Sequence, residues 1–497
     1  MSELVWFKRD LRIADHAPLT EALRHGPVLG VYLYEPSIMG ADDFSVRHLT
    51  FINESLDVLR EDFRTRGGRL VTRIGEAVEV FDALYRAGAF KRIWAHEETG
   101  NGRTYARDRA VLAWAAANGV EVIELPQFGV VRRLKSRDGW ASRWARFMSQ
   151  PTVPAPDAIC TDGTAEIDDA GLCTPDFVRH GRTLRNEQAG GSLEGQRVMR
   201  EFLRERGRGY RGGISSPNSA WSACGRISPY LAWGNLSMRQ VYQTTLRRRQ
   251  SLGPGDAAWR GSLDDFLSRL SWHCHFIQKL EDEPRIEFEN MHPAYDGLRE
   301  PEFDPAYFDA WASGQTGYPL IDACMRAVTA TGWLNFRMRA MLVSFAAYHL
   351  WLHWRAPALH LARLFTDYEP GIHYSQFQMQ SGTTGMNTLR IYSPAKQVAD
   401  QDPDGTFIRQ WVPELQAVPD EFIGEPHKLG PLHQQAIGVR IGKDYPVPIV
   451  EHGAAVAAAK ARIGQVRSSA RARALTPDVV RRHGSRKRPM TSRGRRF

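Results

Sequence analysis

Leu4-Val5-Trp6-Phe7 is a short run that is apolar at every position, with no polar alternation. A strand that reads this way is covered on both faces, as in a parallel sheet packed between helices. The same kind of run returns at Pro27 to Leu33, Arg69-Leu70-Val71-Thr72, Arg92-Ile93-Trp94 and Val120 to Leu125, with helix-patterned stretches such as Phe51 to Thr65 between them. That alternation predicts a Rossmann-like α/β domain over residues 1–130, whose ligands would sit at the carboxyl ends of the strands. No G-x-G-x-x-G or Walker loop follows any of these strands, so a dinucleotide or triphosphate site is not supported there.

Outward from this sheet the text changes. Between Phe128 and Gly191 the periodicity fades and Pro151, Pro154, Pro156 and Pro175 appear, which predicts a connector over 131–195. Beyond it Ser192 to Arg206, Ser237 to Arg248, Ser262 to Leu280, Leu320 to Thr331, Asn335 to Trp354 and Pro357 to Phe365 all carry apolar residues at three and four spacing. An all-α domain over 196–450 follows.

The formal charge of +9 is unevenly spread. Ala461 to Phe497 holds twelve Arg or Lys against Asp478 alone, about +11, which leaves the preceding residues near −2. A stretch such as Arg481-Arg482-His483-Gly484-Ser485-Arg486-Lys487-Arg488 is too polar to fold by itself, so 461–497 is expected to be a disordered basic tail. It would either hold phosphate without sequence preference or simply solubilise the chain. The five cysteines are far apart and odd in number, which fits a reducing compartment and predicts no metal. Charges interrupt the N-terminus where a signal peptide needs an apolar core, and the longest apolar run, Ala340 to Trp354, is too short for a membrane span. A cytoplasmic protein with no membrane partner, acting as a monomer, is expected.

The chemistry-bearing residues lie in ordered blocks of the helical region. Gly225-Arg226-Ile227-Ser228-Pro229 can present backbone NH groups and a hydroxyl at a helix start, a setting that favours a phosphate, although Ser228-Pro229 also reads as a plain helix start. Preceded by Tyr210-Arg211 and Pro217, and continued by Tyr230-Leu231-Ala232-Trp233-Gly234, this block resembles the DNA photolyase and cryptochrome family. Gly314-Gln315-Thr316-Gly317-Tyr318-Pro319-Leu320-Ile321-Asp322-Ala323-Cys324-Met325-Arg326 is close to that family's most recognisable stretch. Thr331 to Arg339, Arg390-Ile391-Tyr392-Ser393-Pro394 and Phe407 to Leu415 follow in order, and Val5 to Arg12 resembles the family's opening strand and turn.

The resemblance implies FAD in the helical domain, held by Tyr210, Cys224, Gly225, Arg226, Ile227, Ser228, Arg339, Asp367, Glu369 and His373. An arginine beside the ring would stabilise negative charge on a reduced flavin, though an arginine and an acid can equally form an ordinary surface ion pair. It also implies that Arg211, Arg269, Trp272, His273, Arg337, Gln378 and Met379 meet damaged DNA. Trp272, Trp354, Tyr374 and Tyr392 are the expected catalytic aromatics: Trp272 stacks on an extruded pyrimidine pair and the others carry electrons or fill core. An antenna pigment of folate or deazaflavin type would bind the α/β domain, where Glu97, Glu98 and Thr99 follow the fourth strand.

The departures from the family pattern fall at its active parts. Cys224 and Gly225 replace hydroxyl residues, and Arg269 stands where the family has an acid that reads the lesion. Where typical members have N-N-G-G-W-Q-W this chain has His373-Tyr374-Ser375-Gln376-Phe377-Gln378-Met379. Of three relay tryptophans only Trp354 has a counterpart, the surface position aligning with Pro301. His273, His275 and His373 could give protons near neutral pH or be structural. The expected function is blue-light-driven reversal of cyclobutane pyrimidine dimers in DNA. The alternatives are a cryptochrome-like photoreceptor and repair of the (6-4) photoproduct.

Overall fold

The structure is a computed structural model that describes residues 1–162, 167–181 and 188–484. Five strands, β1 (Ser2–Phe7), β2 (Val28–Tyr34), β3 (Arg69–Ile74), β4 (Phe90–His96) and β5 (Glu121–Leu125), pair in parallel in the order β3-β2-β1-β4-β5. Alternation along the central strands fills two cores. Leu4 and Trp6 pack with Leu29, Val31 and Leu33 under α3 (Ala77–Arg86) and α4 (Gly102–Asn118), where Phe81, Leu84, Val111 and Ala115 meet them. Val5 and Phe7 face the other way, toward Leu19 of α1 (Ala17–His25) and Leu49, Leu56 and Phe63 of α2 (Val46–Arg64).

That second core runs into the helical domain, taking in Phe202, Tyr230, Trp233, Phe266 and Ile277, so the two layers share one buried surface. Gly234, at φ +71°, lets the helical domain touch the turn after β1: a Cβ there would sit 2.2 Å from the carbonyl oxygen of Arg9. Arg9 crosses this junction, donating to the carbonyls of Ala232 and Tyr368 and lying 4.7 Å over the Trp233 ring.

The site is built on α6 (Ser228–Ala232), the 26-residue α7 (Ala257–Asp282), α8 (Phe336–Ser344) and α9 (Pro370–Ser381), after α5 (Trp140–Ser149) has docked within the connector. A single helix expected from Asn335 to Trp354 is broken. It ends at Ser344, widens into a π turn at Phe345–His349, and Trp351 adopts φ 53°. Arg299 donates to the Ala347 carbonyl at 3.1 Å and its guanidinium stacks 4.5 Å over Trp351, diverting that carbonyl from the helical ladder.

The expected disordered tail is also corrected over its described part. Residues 452–483 form α10 (His452–Ser468) and α11 (Ala470–His483). Ile463 packs with Tyr295 and Tyr348, Val479 packs with Leu280, Ile286 and Met291, and His483 bonds Glu283. A few anchors on a ready surface suffice to fold a segment that is too polar to fold alone. Residues 485–497 lie outside the described residues. Among the described residues no helix is long and apolar enough to cross a membrane.

Candidate active site

Pro370 fixes the first turn of α9, and the helical period then puts Glu369, Ile372, His373, Gln376, Phe377 and Gln380 along one face. That face lines a cavity of about 320 Å³. Phe336, Arg339, Ala340 and Val343 of α8 and Arg269, Trp272, His273 and Phe276 of α7 form other walls, with Ser228, Phe365, Asp367 and Tyr368.

Charge in the cavity is arranged in pairs. Arg339 reaches both oxygens of Asp367 at 2.9 Å, donates to the Leu334 carbonyl at 2.7 Å, and stacks 3.9 Å over Phe365. Burial acts to raise the Asp367 carboxyl, but the guanidinium and the Ser228 hydroxyl outweigh it and hold the group below the usual carboxylate range. Glu369 shows the opposite balance: burial raises it despite Arg9 at 3.3 Å. His373 Nε2 lies 2.8 Å from the Ala358 carbonyl, which can only accept, so Nε2 carries the proton and Nδ1 keeps its lone pair. Burial lowers His373 and His273 to about 4, and both rings are neutral at pH 7.

Among the described residues, four buried polar atoms of this wall have no hydrogen-bond partner: Glu369 Oε1, Gln376 Oε1 and both amide atoms of Gln380. Leaving such a group unsatisfied costs about 1–3 kcal/mol, so a clustered set facing one cavity marks a polar ligand with donors and acceptors of its own. The pyrimidine edge of a flavin has both, and the residues present fit it: Gln376 and Gln380 offer carboxamides, Glu369 a carboxylate and Arg339 a cation. Sequence reasoning missed Gln376 and Gln380. The signal was their spacing of seven and eleven from Glu369, which becomes visible once the helix phase is known.

Of the residues expected to hold FAD, Ser228, Arg339, Asp367, Glu369 and His373 line this cavity. Tyr210, Cys224, Gly225, Arg226 and Ile227 do not. Tyr210 packs against Phe202 and Phe266, Ile227 is core, and burial pushes the Cys224 thiol up to about 11. A Cβ on Gly225 would meet Phe266 at 3.1 Å, so this glycine serves a close approach of side chains. Arg226 is held at φ 57° with its guanidinium between the Trp221 and Trp333 rings, 4.3 and 4.1 Å away, and bonded to Gln188.

Of the residues expected at DNA, Arg269, Trp272 and His273 line the cavity, and Arg269 lies 5.0 Å over the Trp272 ring. Arg211 pairs with Asp265 on the surface, and Arg337 is half-buried. Gln378 is the clearest correction. It is fully buried, and its amide bonds Met291, Ile286, Glu289 and Thr383, so it braces a loop and does not reach DNA. Met379 faces a different cavity.

An aromatic line leaves the cavity through Tyr368, which sequence reasoning passed over between the two acids. The Tyr368 hydroxyl donates to Asp43 at 2.7 Å, so it accepts from Tyr374, 3.2 Å away. The Tyr374 and Trp354 rings are 6.2 Å apart, and Trp354 donates to Asn290. Tyr392 packs on the C-terminal core without joining this line.

Comparison with known proteins decides the family. The FAD binding domain of DNA photolyase matches residues 266–465, and the DNA photolyase domain matches residues 3–132. A deoxyribodipyrimidine photo-lyase of Streptomyces griseus is 30% identical over 488 residues, covering 93% of this chain and 98% of the relative. The chain belongs to the DNA photolyase and cryptochrome family. A cryptochrome DASH of Gloeobacter violaceus is 27% identical, with 90% of this chain and 93% of the relative covered. The crystal structure of a Synechocystis cryptochrome superposes with a TM-score of 0.82 at 24% identity, over 93% of this chain and 98% of that one. The two-domain fold is thus shared by both branches, and the cavity on α7, α8 and α9 lies within the family's FAD-binding domain.

In the α/β domain a second cavity, about 80 Å³, opens at the strand ends between Tyr32, Glu35, Asp43, Arg107 and Tyr368. Burial raises Glu35 to about 7, and among the described residues its Oε2 has no partner. Glu98, expected near a pigment, is tied to Arg107 at 2.5 Å. Nearby, Asp10, His16 and His96 meet with metal-like spacing. Their hydrogen bonds read otherwise: His16 Nδ1 accepts from the Leu19 NH, so Nε2 carries the proton given to Asp10 at 2.9 Å, and His96 Nδ1 bonds the same carboxylate at 2.7 Å. The trio fastens the end of β1 to those of α1 and β4.

Proposed function

We propose that this protein is a light-driven DNA repair enzyme that reverses cyclobutane pyrimidine dimers, acting as a cytoplasmic monomer. The observation that carries the reading is Trp272: a large ring left 41% exposed where the FAD cavity opens, with the Arg269 cation over it. An exposed indole is a stacking platform for an extruded base, each stacked base contributing about 1–3 kcal/mol, and the arginine suits the phosphates that accompany it.

When bound, the flavin supplies light absorption and one-electron chemistry. The protein's part is to hold it against Asp367, Glu369, Gln376 and Gln380, to set the Arg339 cation beside it, and to offer Tyr368, Tyr374 and Trp354 as a route for electrons. Neutral His273 and His373 are poorly suited to give a proton at pH 7, which favours the cyclobutane dimer over the (6-4) photoproduct as substrate. An antenna pigment of folate or deazaflavin type would have to widen the 80 Å³ cavity beside Glu35.

The photoreceptor reading is favoured by one observation: Gln378 is buried and Met379 faces another cavity, so neither meets a base stacked on Trp272. Binding in the dark separates the two readings. A duplex with one cyclobutane dimer should bind at least about tenfold tighter than the undamaged duplex, as one stacked base allows. Equal affinity for damaged and undamaged duplexes would favour the photoreceptor.

A further inference from the structure

Behind Trp272 and Phe276, which also wall the flavin cavity, lies a separate cavity of about 430 Å³. It is enclosed by α5, α7, the segment Met379 to Asn387 and the end of α11. Ser271, His275 and Lys279 enter it from a face of α7 turned away from Arg269 and His273.

Lys279 is the unexplained group. Its side chain is nine-tenths buried, at 5% exposure for the residue, and among the described residues it makes no hydrogen bond or ion pair. The Phe276 ring lies 5.3 Å from Nζ. The nearest acids are already matched: Asp282 takes Arg137 at 2.7 Å and Gln278 at 2.8 Å, while Glu283 takes Arg285, Arg482 and His483. Among the described residues no carboxylate lines the cavity, although Arg137 and two histidines do. Burial and Arg137 lower the ammonium to about 8, so it remains charged at pH 7. A largely buried ammonium with no carboxylate beside it favours an anion in the cavity. Asn387 adds a donor, since its carbonyl oxygen is taken by the Thr384 hydroxyl at 2.8 Å. The remaining walls, Trp140, Trp272, Phe276, Met379 and Met386, are flat or pliable and apolar.

We propose that this cavity is a second binding site, for a phosphorylated planar ligand of nucleotide size, with the phosphate on Lys279 and the ring among the tryptophan and methionine walls. The ligand is either a free nucleotide or one unit of a strand. The site needs no light and no lesion, so it stands or falls independently of the repair reading.

Calorimetric titration of the full-length, FAD-loaded protein in the dark tests it, with thymidine 5′-monophosphate, thymidine and a 5′-phosphorylated trinucleotide as probes. The monophosphate should saturate one site and bind at least about tenfold tighter than thymidine, as expected for a charge-assisted phosphate contact. Lys279→Met should abolish that preference with flavin content unchanged, and Lys279→Arg should keep most of it. A trinucleotide that binds tighter than the monophosphate supports the site with a strand as its source; one that binds more weakly supports it with a free nucleotide. Saturable binding that Lys279→Met leaves intact, equal affinity for thymidine and its monophosphate, or no saturable binding would overturn the proposal.

Discussion

Arg339 and Asp367 are locked in a two-pronged ion pair, both contacts at 2.9 Å, with the guanidinium flat on Phe365. Fork geometry fixes the arginine's plane as well as its position, so the pair presents an oriented cation to the flavin cavity. Removing one partner strands the other. Asp367→Asn should therefore lower stability by about 2–5 kcal/mol and reduce the flavin retained on purification. Thermal melting and the flavin-to-protein absorbance ratio would read both.

The same pair has a pH signature. The folded Asp367 carboxyl is depressed, so its contribution is fully present above the ordinary aspartate range near 4 and is lost as pH falls through the lower folded value. The buried histidines act at higher pH. His48 and His96 are lowered to about 3 and His273, His360 and His373 to about 4, in each case chiefly by burial. A histidine neutral in the fold but able to protonate when unfolded removes stability as pH drops from about 6.5 to its folded value, roughly 3 kcal/mol for His373. Urea midpoints measured between pH 7 and 4 should fall steeply, and His373→Gln should flatten part of that slope.

Much of this was legible in the sequence, for physical reasons. β1 and β2 are buried along their whole length, which favours apolar residues at every position, and Arg339, Asp367 and Glu369, expected from the family resemblance, line the cavity. The rest depended on partners distant in the chain. Arg226 looked like a phosphate ligand until Trp221 and Trp333 closed on it. The π turn at Phe345–His349 follows from Arg299, 48 residues before the carbonyl it takes. Gln378 matched the family pattern, yet its amide is used up by the loop around Met291.

The C-terminal helices yield a prediction from the same lesson. α11 covers Leu280, Ile286 and Met291 and brings Arg482 and His483 to Glu283. A chain ending at Gly484 keeps these contacts and serves as the reference. One ending at Ser469 should lose about 2–4 kcal/mol, because it uncovers apolar core and leaves Glu283 short of cations. Equal melting of the two truncations would refute this role for α11.

The aromatic line should be visible in light without any DNA. Trp354→Phe should slow the light-driven bleaching of the flavin's blue absorption band in the presence of a thiol reductant, since phenylalanine is far harder to oxidise than tryptophan. Tyr392→Phe, off the line, should leave the bleaching rate unchanged.

Trp272 separates a platform from a core residue. Being partly exposed, Trp272→Ala should change stability by less than about 1 kcal/mol while weakening binding of a dimer-containing duplex roughly 5- to 150-fold, the equivalent of one stacked base. Filter binding beside a thermal melt would show whether the two effects part in this way.

The most direct test is repair itself. The protein, with its flavin reduced, is incubated under blue light with an oligonucleotide carrying one defined cyclobutane dimer, and restored thymines are counted against a dark control. The account predicts recovery only in the light, greatly reduced in Trp272→Ala. No light-dependent recovery from a flavin-loaded, dimer-bound protein would contradict it.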